Sequence, residues 1–197
     1  MAMCALDMKE RGKLAKHTAI GTILTNLGFV KFCEANDIDF IATKVGDRYV
    51  LEEMLLEEYN FGGEQSGHII FRDFATTGDG ELTAIQVLRF INTVVEEVIK
   101  RTGKKVSELA SQMNKYPQVS INVKVSQNGK VQFYTNQKVK SAIDEAKEKL
   151  SDLGRIVVRP SGTEPKIRVM VECLDDKLME ETAEKVAAII KDELGNL

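Results

Sequence analysis

The run Arg159-Pro160-Ser161-Gly162-Thr163-Glu164-Pro165-Lys166-Ile167-Arg168-Val169 decides how the chain is read. Apolar, β-branched residues lead into it over Arg155–Val158 and out of it over Ile167–Val171, so it joins two strands. Gly162 tolerates a positive φ, and the N–H groups of Ser161, Gly162, Thr163 and Glu164 can converge as an anion nest. Ser161 and Thr163 add hydroxyl donors, and Arg159 can fork onto a phosphate through two parallel bonds. Two of the chain's three prolines, Pro160 and Pro165, flank the loop and stiffen it. In an extended strand Lys166 and Arg168 share one face, while Ile167, Val169 and Val171 share the other. The same residues also suit a plain hairpin turn with scattered surface charge. In a phosphate loop Glu164 has to point away or pair with a nearby cation. Spacing alone leaves both readings open.

Outward from this loop, residues 118–197 read as a small α+β domain, an antiparallel sheet with two helices. Val119, Ile121, Val123 and Val125 alternate with polar residues as in a half-exposed strand, and Gln127-Asn128-Gly129 is a turn signal. Residues 136–151 form a polar helix with Val139, Ile143, Ala146 and Leu150 inward. Asp175–Leu194 forms an amphipathic one carrying Leu178, Val186, Ile189, Ile190 and Leu194. Residues 101–117, including a short helix over 106–113, serve as a linker.

Residues 1–100 follow another pattern. A helix over 3–14 turns Leu6 and Leu14 inward. Strand Thr18–Leu24, helix 27–36, strand Ile38–Val45 and helix 47–58 follow, the last with Asp47 as N-cap and Val50, Met54 and Leu55 at helical spacing. After strand Ile69–Phe71, a long helix runs to about Lys100. Its apolar stripe is Leu82, Ile85, Leu88, Phe90, Ile91, Val94, Val95 and Val98, and Thr77 and Asp79 can cap its start. Alternating strands and helices make βαβ units on a parallel sheet. The fold class is therefore α/β: a partial βαβ domain with a parallel sheet, then the small α+β domain.

Ligands of such sheets lie beyond the carboxyl ends of the strands. The loops there are Thr25-Asn26, Lys44-Val45-Gly46-Asp47-Arg48 and Gly62-Gly63-Glu64-Gln65-Ser66-Gly67-His68. The last has three glycines that let backbone approach a ligand. If it is extended, Glu64, Ser66 and His68 share a face: a carboxylate, a hydroxyl and an imidazole suited to a polyhydroxylated ligand. The alternative is a Gly-rich hairpin whose His68 caps a strand edge beneath Phe71 or Phe74. His17 reads as surface.

Composition narrows the class. The 197 residues are 43% hydrophobic and 29% charged with a net charge of −3, as in ordinary soluble proteins. Nucleic-acid binding calls for a basic face, which this balance does not favour. Cys4, Cys33 and Cys173 are odd in number and far apart, fitting reduced thiols in a cytoplasm. No apolar run approaches membrane-spanning length, and the N-terminus carries no signal-peptide pattern.

The Arg159–Pro165 loop, followed by a strand with an inward arginine, resembles the phosphate-binding loop of the alpha-D-phosphohexomutase superfamily, in the variant of its phosphoglucosamine mutase branch. Gly63-Glu64-Gln65-Ser66-Gly67-His68 resembles that family's sugar-binding loop. Thr43-Lys44-Val45-Gly46-Asp47-Arg48 resembles the loop that helps distinguish the sugar's two orientations. The motifs stand in family order, and the resemblance covers nearly the whole chain as the later part of the third of four domains plus the fourth. It implies that Lys44, Gly46, Asp47, Arg48, Glu64 and Ser66 bind the sugar, and that His68 is the acid/base candidate. Arg159, Ser161, Gly162, Thr163 and Arg168 would clamp the phosphate that is not transferred.

The implied reaction interconverts glucosamine 6-phosphate and glucosamine 1-phosphate through a bisphosphorylated intermediate, toward UDP-N-acetylglucosamine. Mg²⁺ is the implied cofactor of the full-length enzyme, with a bisphosphorylated sugar as activator. The family's phosphoserine and its Mg²⁺ loop of three alternating aspartates have no match; Asp37 and Asp39 lack a third acid, so no metal ligand is expected in this chain. The chain is accordingly expected to be a fragment, the substrate-orienting half without the reacting half. Its expected partner is a small phosphosugar, with no nucleic acid and no membrane. The oligomeric state stays open, a homodimer among the options. Another phosphohexomutase (phosphomannomutase or phosphoglucomutase) and a non-catalytic phosphosugar- or anion-binding module are the alternatives.

Overall fold

In the computed structural model, which describes residues 1–94 and 113–195, the chain forms two units, Met1–Lys115 and Tyr116–Leu197. The expected linker at 101–117, the short helix at 106–113 and the end of the long helix fall wholly or largely outside the described residues. No described helix is long and apolar enough to cross a membrane.

Strand β1 (Thr18–Thr22) is buried along its whole length because it lies inside a sheet covered on both faces. The sheet also holds β2 (Asp39–Thr43), β3 (Phe61–Gly63) and β4 (Ile69–Phe71), in the order β2-β1-β3-β4. β1 runs parallel to β2 and β3, whereas β3 and β4 are antiparallel. The expected parallel sheet is thus mixed at β4. The connection Glu64–His68 is long enough for a hairpin and too short for a parallel crossover.

Successive β1 side chains point to opposite faces. Ala19 enters a core with Cys4, Met8, Phe29, Phe32 and Phe61, supplied in part by α1 (Ala2–Glu10) and α2 (Leu27–Ala35). Ile20 enters another with Ile70 and with Val50 and Met54 of α3 (Asp47–Leu56). The first helix stops at Glu10, short of the expected boundary, yet Leu14 is buried.

Two further expectations change. The N-cap of α3 is Gly46, at φ +132°, and Asp47 is the first helical residue. Helix α4 (Gly80–Val94) starts as expected, with the Leu82 N–H donating to Asp79 Oδ1 at 2.8 Å. Its stripe is narrower than expected: Phe90 is buried and Leu82 and Val87 pack on the core, but Ile85 and Leu88 are 62% and 64% exposed. At 3.6 residues per turn, positions 82, 86 and 90 gather on one side and leave 85 and 88 on the other.

The second unit is a three-stranded antiparallel sheet in which β7 (Lys166–Cys173) lies between β5 (Gln118–Lys124) and β6 (Gly154–Pro160). The expected turn at Gln127-Asn128-Gly129 is a short helix, α5 (Gln127–Gln132), because Ser126 Oγ accepts from the Gly129 N–H at 3.0 Å and caps it. Helices α6 (Gln137–Leu150) and α7 (Asp176–Leu194) pack against the sheet; Asn136 caps the first and Asp175 the second. Ile167, Val169, Val171 and Cys173 of β7 meet Val139, Leu150, Ile190 and Leu194 in a closed core.

Ile190 lies at the centre of that contact, fully buried. Ile190→Ala should therefore cost about 2–5 kcal/mol in the Tyr116–Leu197 unit, read from hydrogen exchange of the β7 amides. A loss under about 0.5 kcal/mol, usual for a surface change, would contradict this packing.

Candidate functional site

In the first unit the β3–β4 connection folds back on itself. The Glu64 N–H donates to His68 O at 2.8 Å, and the Gly67 N–H donates to Glu64 O at 3.1 Å. Gly67 sits at φ +105°, a conformation that favours glycine. The segment is a hairpin, not extended, so Glu64, Ser66 and His68 do not line one strand face. Continuing the ladder beyond Gly63↔Ile69 sets Glu64 opposite His68, on one face of the hairpin, with Ser66 exposed in the turn. The glycines expected to admit a ligand are needed by the fold. A Cβ on Gly62 would lie 2.8 Å from Val50 Cγ1, and one on Gly63 2.5 Å from His68 O.

The β2–α3 loop reaches this hairpin. The Gly46 N–H donates to Glu64 Oε1 at 2.9 Å, and His68 Nδ1 lies 3.6 Å from Asp47 Oδ2. Gly46, Asp47, Glu64 and His68 are thus brought together. Arg48 and Lys44 are engaged within their own segment: Arg48 Nε bonds Glu52 Oε1 at 2.7 Å, and Lys44 Nζ stands 5.7 Å from the Tyr49 ring centroid. The His68 side chain is 61% exposed and Phe74 is exposed too, which removes the reading of His68 as a buried strand cap. Next to the hairpin is a cavity of about 310 Å³, lined in part by Thr25, Asn26, Glu64, Gln65 and Gly67. Asn26 also caps α2, accepting from the Gly28 N–H at 3.0 Å.

In the second unit Arg159 and Arg168 are register partners on β6 and β7, and Asn122 on β5 faces Arg168 from the other side. Burial first, and the charge of Arg168 second, push the Arg159 guanidinium below its ordinary pKa. Like charges directly opposed destabilise a ladder, so this pair favours an anion. Glu164 supplies part of that charge: its oxygens lie 2.8 Å from Lys166 Nζ and 3.0 Å from Arg168 Nη2. The hydrogen bond from Lys166 comes first among the causes that hold the Glu164 carboxyl below the usual carboxylate range. The loop's acid is therefore paired with cations.

The nest is smaller than expected. The Ser161 N–H donates to Lys166 O at 2.8 Å, and the Glu164 N–H donates to Ser161 Oγ at 3.3 Å. That leaves the Gly162 and Thr163 N–H groups for a ligand. Gly162 does not take a positive φ, and a Cβ there would meet nothing within 4 Å. Lys130 is a cation the sequence reading missed: its Nζ lies 3.3 Å from Glu164 O. Reading 127–129 as a turn hid it, and Ser126 before Gly129 was the signal for a capped helix. Among the described residues, no group of three or more His, Cys, Asp or Glu converges as a metal site.

Residues 1–116 match the family description "phosphoglucomutase/phosphomannomutase, alpha/beta/alpha domain III", and residues 121–189 match that family's C-terminal domain. The chain is 48% identical over 195 residues to a phosphoglucosamine mutase of Bacillus pumilus, covering 99% of this chain and 41% of that protein. It is 46% identical to one of Caldanaerobacter subterraneus, covering 99% and 42%. The chain thus spans less than half the length of these curated relatives. Among solved structures, an Aspergillus fumigatus N-acetylphosphoglucosamine mutase superposes with a TM-score of 0.73 at 16% identity, over 97% of this chain and 43% of that one. The same enzyme in complex with GlcNAc-6P and magnesium gives 0.71, over the same shares. At that identity the likeness speaks for the fold. The matches to both domains, in their order along the chain, show that it belongs to the phosphoglucomutase/phosphomannomutase family.

Proposed function

We propose that the chain is the substrate-holding portion of a cytoplasmic phosphoglucosamine mutase, which interconverts glucosamine 6-phosphate and glucosamine 1-phosphate. The observation that carries this is 48% identity across 99% of the chain to an enzyme of that name. Geometry supports the division of labour. Glu64 gives one oxygen to the Gly46 N–H, and a carboxylate has further lone pairs for sugar hydroxyls. The exposed His68 imidazole on the same face would, in this reading, exchange a proton with a sugar oxygen. In the second unit, Arg159, Arg168 and the Gly162 and Thr163 N–H groups would hold the phosphate that stays on the sugar.

In this reading a phosphoserine elsewhere in the full-length protein gives its phosphoryl group to the free sugar hydroxyl. The bisphosphate then turns over in the site, and its other phosphoryl group returns to the serine. A bisphosphorylated sugar serves as activator. In this reading the Mg²⁺ of the full-length enzyme would be held by residues outside this chain.

The 197-residue chain by itself should form no glucosamine 1-phosphate from glucosamine 6-phosphate, even with Mg²⁺ and bisphosphate activator. Substituted for the corresponding C-terminal part of the Bacillus pumilus enzyme, it should support turnover. In that chimera His68→Ala should lower the rate roughly 10²–10⁴-fold with folding intact. Turnover by the chain alone, or a folded chimera that binds the sugar phosphate and stays inert, would overturn the reading.

Gly162→Ala probes the phosphate loop without disturbing the fold. Its stability should stay within about 0.5 kcal/mol of wild type, while sulfate binding, followed by NMR shifts of the 159–168 amides, weakens. Unchanged sulfate affinity would mean that the open space beside Gly162, which the added Cβ fills, is not where the anion sits.

A further inference from the structure

We infer that Asp47 is a positioning residue for His68: its carboxylate holds the imidazole at Nδ1, leaving Nε2 to face the reacting sugar oxygen. This rests on the reading of His68 as the acid/base. It moves Asp47 from sugar contact to ring orientation.

The carboxylate is itself oriented. Asp47 Oδ1 accepts from the Arg48 backbone N–H at 2.8 Å, which leaves Oδ2 as the oxygen 3.6 Å from His68 Nδ1. That separation is just beyond a hydrogen bond; catalytic contacts are commonly long before the ligand arrives and tighten in the complex. The backbones bearing the two residues are tied independently of the pair. The Gly46 N–H is bonded to Glu64 Oε1, and the Glu64 N–H to His68 O. Gly78 packs against the root of the ring: a Cβ there would lie 3.1 Å from His68 Cβ. Among the described residues, Asp47 is the acid that pairs with this histidine.

The chemistry follows from the proton count of the ring. A neutral imidazole has one N–H; if Nδ1–H donates to a carboxylate, Nε2 keeps its lone pair. When the sugar hydroxyl attacks phosphorus, its proton can pass to Nε2. The Asp47 charge then stabilises the imidazolium so formed, while its position keeps the ring aimed.

His68 is one of two histidines in the chain, so His17→Gln isolates its ring signals in a ¹⁵N spectrum. With the ring neutral, the chain should show the Nδ1-protonated tautomer. Asp47→Ala should return it to the Nε2-protonated form that free imidazole side chains prefer. Asp47→Asn, whose amide oxygen can still accept, should keep the first form. In the Bacillus pumilus chimera, Asp47→Ala should lower kcat roughly 10-fold or more with KM near wild type, and Asp47→Asn should recover part of the loss. An unchanged tautomer in Asp47→Ala, or a loss confined to KM, overturns the inference while leaving His68 as the acid/base. Full turnover by the His68→Ala chimera overturns that underlying reading, and the positioning role with it.

Discussion

The hydrogen bond from the Gly46 N–H to the Glu64 carboxylate, 2.9 Å long, holds the loops of the first unit's candidate site together. It joins loops that leave β2 and β3, strands separated in the sheet by β1. It also completes a helix. Gly46 is the N-cap of α3, which has no side-chain cap of its own. Glu64 thus satisfies an orphan N–H from another element and sets negative charge at the positive end of the helix dipole. The tie depends on Gly46 at φ +132°, a conformation that side chains resist. It depends equally on the tight hairpin that turns Glu64 and His68 to one face.

The second unit's candidate anion loop rests on opposed charge rather than on a tie. Two arginines face each other across a ladder, a costly arrangement in a sheet that binds nothing. Glu164 offsets it by bridging Lys166 and Arg168 from within the loop. Any anion at this loop would meet cations already gathered by an internal carboxylate. The pairing is present while Glu164 is ionised. Because the folded-state pKa of Glu164 is depressed, the contribution is complete above its ordinary carboxylate range. It fades as pH falls through the lowered value.

Much of this architecture was legible in the residues. Alternation placed Ile167, Val169 and Val171 in a core, and they are fully buried. Asp79 capped its helix as its type and place suggested. The loops around Gly46 and Gly162 join the elements expected to flank them. What escaped depended on partners distant in sequence. The capping acid of α3 is Glu64, not Asp47, and no local pattern signals a cap supplied from a hairpin. The Glu64–His68 segment reads equally as strand or turn until the ladder of β3 and β4 is known. Gly62 and Gly63 look like ligand-admitting residues, yet crowding against Val50, Met54 and the His68 carbonyl accounts for them. Ile85 and Leu88 look like core in a list of apolar residues, and only the angular position of Phe90 puts them outside.

The claim that matters most is that the first-unit loops recognise a sugar, as distinct from an anion. The direct measurement is an amide-shift titration of the chain with glucosamine 6-phosphate against one with inorganic phosphate. The account predicts that Gly46, Asp47, Glu64, Ser66 and His68 respond to the sugar phosphate and not to inorganic phosphate. Identical responses to both ligands, or responses confined to 159–168, would contradict it and leave an anion-binding module.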